Sequence, residues 1–172
     1  SGPAVEMAGR NPFSLEAGGS IILHKRRERA KMESIMYTHK VQYYETDKMN
    51  CVHHSNYIRW FEEARTALME DGGFGYDRME ALGVMSPVLK AEAEYHTMTR
   101  FGETVEIETR VESYTGTRIA FTYQVRDLAT GTLRCVGRTQ HCFIGPNGRP
   151  VSLKKACPQY HGQILEAVGV KE

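Results

Sequence analysis

The most constraining feature of this sequence is a stretch with the period of a long amphipathic helix. Its apolar residues are four, three and four positions apart: Tyr57, Phe61, Ala64 and Leu68. This spacing places them along one face of a helix. Ser55 or Asn56 provides an N-cap, and Gly72-Gly73 predicts the end of the helix. A helix with one apolar face must bury that face against another element.

Alternation of apolar and polar residues predicts the β-strands that cover this helix. It is present over residues 39–43, before the helix, and over residues 89–95, 105–112 and 119–126 after it. Residues 133–144 alternate less cleanly, as expected for a central strand covered on both faces. Because the connections are short and rich in turn residues, we expect the last four strands to form an antiparallel meander. A long helix on one antiparallel sheet is an α+β fold.

The regions outside this core are simpler. Shorter helices are predicted over residues 76–82 and 158–168. Residues 1–33 lack apolar periodicity, so we expect a tail, either linker or a cloning remnant, before a single domain of residues 34–172. The basic cluster at residues 24–31 is interpreted as solvated, rather than as a nucleic-acid or localisation signal, because aromatic residues do not interleave with it.

Charge and cysteine content narrow the possible functions. The formal net charge of +1 gives no reason to expect binding to nucleic acid or to an anionic membrane. No apolar run approaches the ~20 residues that span a bilayer, and the pattern of a signal peptide is missing. The four cysteines form no CxxC pair and are typical of free thiols in a reducing compartment. We therefore expect a cytoplasmic protein.

The segment between the first strand and the long helix has the composition of a functional loop. Residues 45–56 contain two acids and two histidines, and a rigid element flanks each end. The start of a helix offers free N–H groups and the positive end of a dipole, which suit an anion or a polarised carbonyl. His54 lies next to that start. Asp47 lies seven residues earlier, so a loop that doubles back would bring its carboxylate to the same point.

The same residues also have purely structural interpretations. Asp47 can brace or cap the loop, Glu45 can be solvated, and the histidines can be surface residues. A metal site built from Cys51, His53 and His54 is disfavoured, because ligands this close in sequence seldom reach one ion. Cys51 as a nucleophile is equally weak, since nothing in the sequence indicates a lowered thiol pKa.

Residues 44–65 carry a more specific pattern, Y-x-T-D-x4-V-x-H-x2-Y followed by F-E-E-A-R. This pattern resembles the signature of the 4-hydroxybenzoyl-CoA thioesterase branch of the hotdog superfamily. The resemblance implies a five-stranded antiparallel sheet wrapped around a long central helix, and an acyl-CoA thioesterase activity that needs no cofactor. Two departures are visible. Asn50 replaces the usual glycine, and residues 95–102 lack the proline that family members often have.

The resemblance also implies roles for individual residues. Asp47 would be the catalytic carboxylate, acting as base or nucleophile, and His54 would be its polar partner beside the thioester. N–H groups at the helix start would polarise the carbonyl. Substrate-binding residues are expected in an apolar acyl pocket and near the CoA phosphates: Tyr57, Phe61 and Met85 for the pocket, and Arg100, Arg118 and Arg138 for the phosphates.

Two acids on the helix are the rival candidates for catalysis. Glu62 lies three residues from Arg65, and Glu63 lies four from Arg59, so helix-surface ion pairs explain both.

The resemblance further implies a homodimer or homotetramer joined edge to edge, with an active site shared between chains. Two other functions stay open: a hotdog hydratase or dehydratase, and a non-catalytic acyl-CoA binding module.

Overall fold

The computed structural model describes residues 34–168. The expected tail, with its basic cluster, and residues 169–172 lie outside this part. The strands are β1 (Ser34–Lys40), β2 (Val88–Tyr95), β3 (Thr104–Tyr114), β4 (Arg118–Asp127) and β5 (Leu133–Cys142). The helices are α1 (Ser55–Asp71), α2 (Tyr76–Ala81), α3 (Leu153–Ala156) and α4 (Pro158–Ala167). Within residues 34–168, no helix is both long and apolar enough to cross a membrane.

The strands form one antiparallel sheet in the order β1-β3-β4-β5-β2. The predicted meander is therefore correct for β3, β4 and β5, and wrong for β2. Because β1 takes the outer side of β3, β2 pairs with β5 at the opposite edge. β1 precedes α1 and α2 in the sequence, and β2 follows them. These two strands thus form the two edges of the sheet.

Helix α1 packs on this sheet through the face that its periodicity predicts. Its buried residues include Tyr57, Phe61, Ala64 and Leu68. Phe61 has no exposed surface, and its ring stacks on Tyr123 of β4 with centroids 4.4 Å apart. Gly137 of β5 lies against the same ring, and a Cβ at this position would overlap it. Glycine therefore permits the close approach of helix and sheet. One long helix held by a five-stranded antiparallel sheet is an α+β hotdog fold.

Two element boundaries differ from the predictions. β1 ends at Lys40, and the chain then makes a 3-10 turn (Tyr43–Glu45) instead of extending the strand to residue 43. Tyr43 is 77% exposed, so the apparent alternation there does not reflect burial. Helix α1 has His54 as its N-cap, earlier than either predicted cap, whereas its predicted end at Gly72 is confirmed.

Strand β2 is the least covered element of the sheet. Its alternation predicts a half-buried strand, yet nearly all of its residues are exposed, because α1 packs mainly toward β1 and β3. Val88 and Leu89 are each 49% exposed, and Tyr95 is 47% exposed. An open edge that carries large apolar side chains is typical of a surface that another chain covers.

Candidate active site

A tight hairpin between β1 and α1 presents Asp47. Thr46 and Val52 pair as an antiparallel bridge, and the N–H of Asp47 donates to the carbonyl of Cys51 at 2.9 Å. Asn50 has a φ of 60° in the turn and donates its N–H to the Asp47 carbonyl at 2.9 Å. Asn accepts this left-handed backbone better than most residues other than glycine. The turn therefore forms without the family's usual glycine.

The Asp47 carboxylate uses one of its two oxygens inside the hairpin. Oδ1 accepts the N–H of Met49 at 2.8 Å and lies 3.9 Å from Sγ of Cys51. Oδ2 accepts no hydrogen bond from residues 34–168, and the residue is partly exposed. Asp47 thus braces the loop, but this structural contact leaves half of its carboxylate available for another partner.

Cys51 is a buried donor and not a reactive thiolate. Burial, and then the nearby Asp47 carboxylate, raise the pKa of the Cys51 thiol above its usual value. The thiol therefore stays protonated at neutral pH, which does not favour nucleophilic attack. Among the described residues, no three His, Cys, Asp or Glu side chains converge closely enough to hold a metal ion.

The loop doubles back on the start of α1. The carbonyl of Glu45 accepts the N–H of His53 at 2.8 Å and the side-chain Nδ2 of Asn56 at 2.8 Å. The interpretation of Glu45 as a solvated acid is wrong, since this residue is only 4% exposed. The spacing of Gln42 and Glu45 was the available signal, because the two residues form a reciprocal capping box around the 3-10 turn.

His54 is held at the helix start by its backbone. Its side chain is exposed and makes no capping hydrogen bond, and its ring lies 4.1 Å from that of His53. The Tyr95 hydroxyl, at the end of β2, donates to the His54 carbonyl at 3.0 Å. Within residues 34–168, the His54 imidazole makes ring contacts with His53 and Tyr95 but no hydrogen bond.

Tyr57 and Thr99 connect the hairpin to the core. The Tyr57 hydroxyl donates to Oγ1 of Thr99 at 3.0 Å, and the Thr99 carbonyl accepts the N–H of Val52 at 2.8 Å. Burial raises the pKa of Tyr57 to about 12. The phenol therefore stays protonated at neutral pH and acts as a donor. Sequence reasoning did not identify Thr99 or Tyr95, because their importance depends on contacts with residues more than 40 positions away.

The predicted substrate-binding residues are not all near this loop. Arg100 lies near the loop, and its Nη1 donates to the carbonyl of Asn50 at 3.0 Å. Arg138 lies on the opposite face of the sheet, where its Nε donates to Glu112 at 2.7 Å and its Nη1 lies 4.0 Å from Glu92. Two carboxylates thus already share its charge. Phe61, in the core, has no surface through which a ligand could contact it directly.

Met85 and Arg118 lie at the far end of the sheet. Met85 is bridged to Ile144, and Arg118 is paired with Cys142. Tyr95, at the other end of β2, contacts the helix start. The eight residues of β2 span about 23 Å at ~3.3 Å per residue. Within one chain, Met85 and Arg118 are therefore remote from Asp47.

Comparison with known proteins agrees with this fold and this loop. The sequence profile of the Thioesterase-like superfamily matches residues 41–160, which include the hairpin, α1 and the sheet from β2 to β5. The chain belongs to the thioesterase-like superfamily. This profile is broader than the 4-hydroxybenzoyl-CoA branch, which stays a prediction.

Three members or structural neighbours illustrate the relationship. Bacillus subtilis YneP, named provisionally as an acyl-CoA thioesterase, is 37% identical over 71% of this chain and 88% of its own length. The crystal structure of DHNA-CoA thioesterase from Staphylococcus aureus superimposes with a TM-score of 0.74 at 30% identity, covering 81% of this chain and 97% of that one. A second Staphylococcus aureus protein, solved in complex with CoA, has a TM-score of 0.71 at 16% identity and shares the fold, over 81% of this chain and 86% of its own.

Proposed function

We propose that this superfamily member is an acyl-CoA thioesterase, which hydrolyses an acyl-CoA to a free acid and coenzyme A. The observation that carries the proposal is the unpaired Oδ2 of Asp47, on a hairpin that folds back beside the first turn of α1. The names of the Bacillus subtilis relative and of the DHNA-CoA thioesterase support the same activity.

The chemistry needs a nucleophile and a polarised carbonyl. A thiol with a pKa of ~8.5 leaves readily as thiolate, so no strong general acid is required. Asp47 takes a proton from water, whose oxygen attacks the thioester carbon, or attacks that carbon itself to give a mixed anhydride that water then hydrolyses. In both routes the C–S bond breaks, and the sulfur leaves as the thiolate of coenzyme A.

The start of α1 supplies one N–H donor for the thioester oxygen. The N–H groups of Ser55 and Asn56 are already bonded to His53, at 3.3 Å and 3.0 Å. We assign the next N–H, that of Tyr57, to the carbonyl oxygen, where the helix dipole adds to its effect. His54 orients the thioester sulfur, and Arg100 provides positive charge for a CoA phosphate at the rim of the hairpin.

We further propose that two copies pair through their open β2 edges. Antiparallel pairing would place the start of one β2 opposite the end of the other. The partner subunit's Met85 would then approach the helix start that Tyr95 contacts, and an acyl pocket would form from two chains. Sedimentation velocity is expected to show a dimer or a multiple of it, and a monomer at micromolar concentration would contradict this arrangement.

The experiment that tests the activity is thiol release from a panel of short, long and aromatic acyl-CoAs. We expect turnover of at least one substrate by the wild type, and a loss of about 10²- to 10⁴-fold in kcat for Asp47→Asn, which removes the base or nucleophile. The matched control is Glu62→Gln, which neutralises an exposed acid on α1 and should retain wild-type turnover.

The outcomes separate the alternatives. Thiol release that Asp47→Asn leaves unchanged would remove Asp47 from the chemistry. Acyl-CoA binding by calorimetry without thiol release from any substrate would favour a binding module. Hydration of an enoyl-CoA, detected as a loss of the absorbance of the enoyl-CoA, would favour a hydratase.

A further inference from the structure

Glu45 is a buried acid with a complete set of hydrogen-bond donors. Its carboxylate accepts from Nε2 of His39 at 2.9 Å, from Nε1 of Trp60 at 2.7 Å and from the N–H of Gln42 at 2.7 Å. A carboxylate that is removed from water is costly unless donors compensate for its lost hydration. Burial by itself raises the pKa of Glu45, but the hydrogen bonds from His39, Gln42 and Trp60 outweigh it and lower the pKa.

The backbone of the same residue fastens both ends of the reactive loop. Its carbonyl accepts the N–H of His53, which follows the hairpin, and the side chain of Asn56, which lies in the first turn of α1. Asn56 is itself buried, at 7% exposure, so this tie lies away from competing water. Glu45 therefore contacts β1 and α1 through its carboxylate, and the far arm of the loop and α1 through its carbonyl.

We infer that Glu45 is the positioning residue of the site: it holds the Asp47 hairpin in a fixed place relative to the first turn of α1. The inference rests on the proposed role of Asp47. Asp47 is only two residues from Glu45, and the Thr46–Val52 bridge makes the hairpin a compact unit. A shift at residue 45 is therefore transmitted to the Asp47 carboxylate.

The size of the effect follows from what catalysis requires. A displacement of ~1 Å between a nucleophile or base and the groups that polarise the carbonyl costs about 10²-fold in rate. Binding of the CoA moiety depends on other contacts, such as Arg100, which is bonded to the opposite side of the hairpin at Asn50. Loss of the Glu45 anchor should thus lower kcat far more than it raises KM.

The test compares three variants on the best substrate of the acyl-CoA panel. Glu45→Ala removes the carboxylate and its three hydrogen bonds but keeps the backbone carbonyl. It should lower kcat by about 10²-fold, with KM changed by less than about 3-fold. Glu45→Gln keeps the shape and can still accept from Trp60, so it should recover part of this loss. The matched control is Glu63→Gln, since Glu63 contacts the other ring nitrogen of His39 at 3.3 Å but does not touch the loop.

A double mutant distinguishes positioning from general damage. If Glu45 acts through Asp47, then Glu45→Ala should cost little further kcat in the Asp47→Asn background, because the group that it positions is already absent. Calorimetric binding of a non-hydrolysable thioether analogue of acyl-CoA should stay within about 3-fold of wild type. If Glu45→Ala does not fold, Asn56→Ala removes one loop tie without disturbing the buried carboxylate, and it too should lower kcat selectively.

Failure of the inference and failure of the proposed function give different results. If Asp47→Asn abolishes turnover while Glu45→Ala and Asn56→Ala retain it, Asp47 is catalytic and Glu45 does not position it. If turnover survives Asp47→Asn, the catalytic role of Asp47 and the positioning role of Glu45 are both overturned, whereas the thioesterase activity stands; absence of thiol release by the wild type would overturn the proposed function. Equal losses from Glu45→Ala in the presence and absence of the Asp47 carboxylate would show a structural effect only.

Discussion

Helix α1 contributes to two buried polar clusters, one centred on an anion and the other on a cation. The Glu45 cluster, near the start of the helix, surrounds a carboxylate with donors: His39, Gln42 and Trp60. In the Arg65 cluster, in the middle of the helix, a guanidinium donates to the hydroxyls of Tyr76 and Tyr123. Hydrogen bonds continue from Tyr123 to Thr139 and from Thr139 to His141. Both charged residues are 4% exposed.

The two clusters differ in how completely their polar atoms are satisfied. Every donor around Glu45 lies within 3.0 Å. Arg65 donates to the Tyr76 hydroxyl at 2.7 Å, but the Tyr123 hydroxyl is 3.4 Å away, and the exposed Glu62 is 3.9 Å away. Nδ1 of His141 is buried without a partner among residues 34–168. The tight cluster lies beside the reactive loop, and the looser one lies between helix and sheet.

The largest expected effect on stability comes from removing the acid of the tight cluster. Glu45→Met fills similar space but leaves the buried Nε1 of Trp60 and the part-buried donors of His39 and Gln42 without their acceptor. We therefore expect the free energy of unfolding to fall by about 3–5 kcal/mol. Urea unfolding followed by tryptophan fluorescence measures this, with Arg65→Met as the comparison. The hydrogen-bond partners of Arg65 are hydroxyl groups, and its acid neighbour Glu62 is solvent-exposed, so Arg65→Met leaves no buried charge uncompensated and should cost about 1 kcal/mol. An equal loss of unfolding free energy in both variants would contradict the proposed difference between the two clusters.

A somewhat smaller effect on stability is expected when the pH is lowered, and it should act through His141 in the Arg65 cluster. Burial, and then the charge of Arg65, lower the pKa of His141 to about 4. The unfolded chain, with a His pKa of ~6.5, binds a proton first as pH falls. The titration of His141 therefore leaves the free energy of unfolding unchanged above pH ~6.5. Between pH ~6.5 and 4 it lowers the free energy of unfolding, by about 3 kcal/mol in total.

Urea unfolding at a series of pH values tests this dependence. His141→Gln should flatten the curve between pH 6.5 and 4, because glutamine does not titrate. Arg65→Met should flatten it partly, since removing the cation lets the His141 pKa move back toward its ordinary value. A pH dependence that both variants leave unchanged would assign it to other groups.

Much of the fold could be predicted because it depends on local pattern. The stripe from Tyr57 to Leu68 defined α1 and its buried face, and the alternating segments located the strands. Strand order could not be obtained in this way. The choice between the two free edges of the sheet for β2 depends on β1 having taken one of them, which is a property of the assembled sheet.

The candidate site was predictable to a similar depth. The loop and its position before α1 followed from spacing, and the doubling back of the chain is confirmed by the contact of Glu45 with His53. The catalytic roles of Asp47 and His54 stay predictions. Sequence spacing could not show that Met85 lies at the far end of β2, nor that Arg138 is already paired with acids on other strands.

The contact between Phe61 and Gly137 has a consequence for how this protein can vary. The aromatic ring occupies the place that a side chain of β5 would fill, so residues on two different elements share one volume. Neither position can change size independently: a larger residue at 137 requires a smaller one at 61, and a smaller ring would leave a void under the helix. The depth at which α1 sits, and with it the height of its first turn above the sheet, is thus encoded by a pair of residues 76 positions apart in the chain.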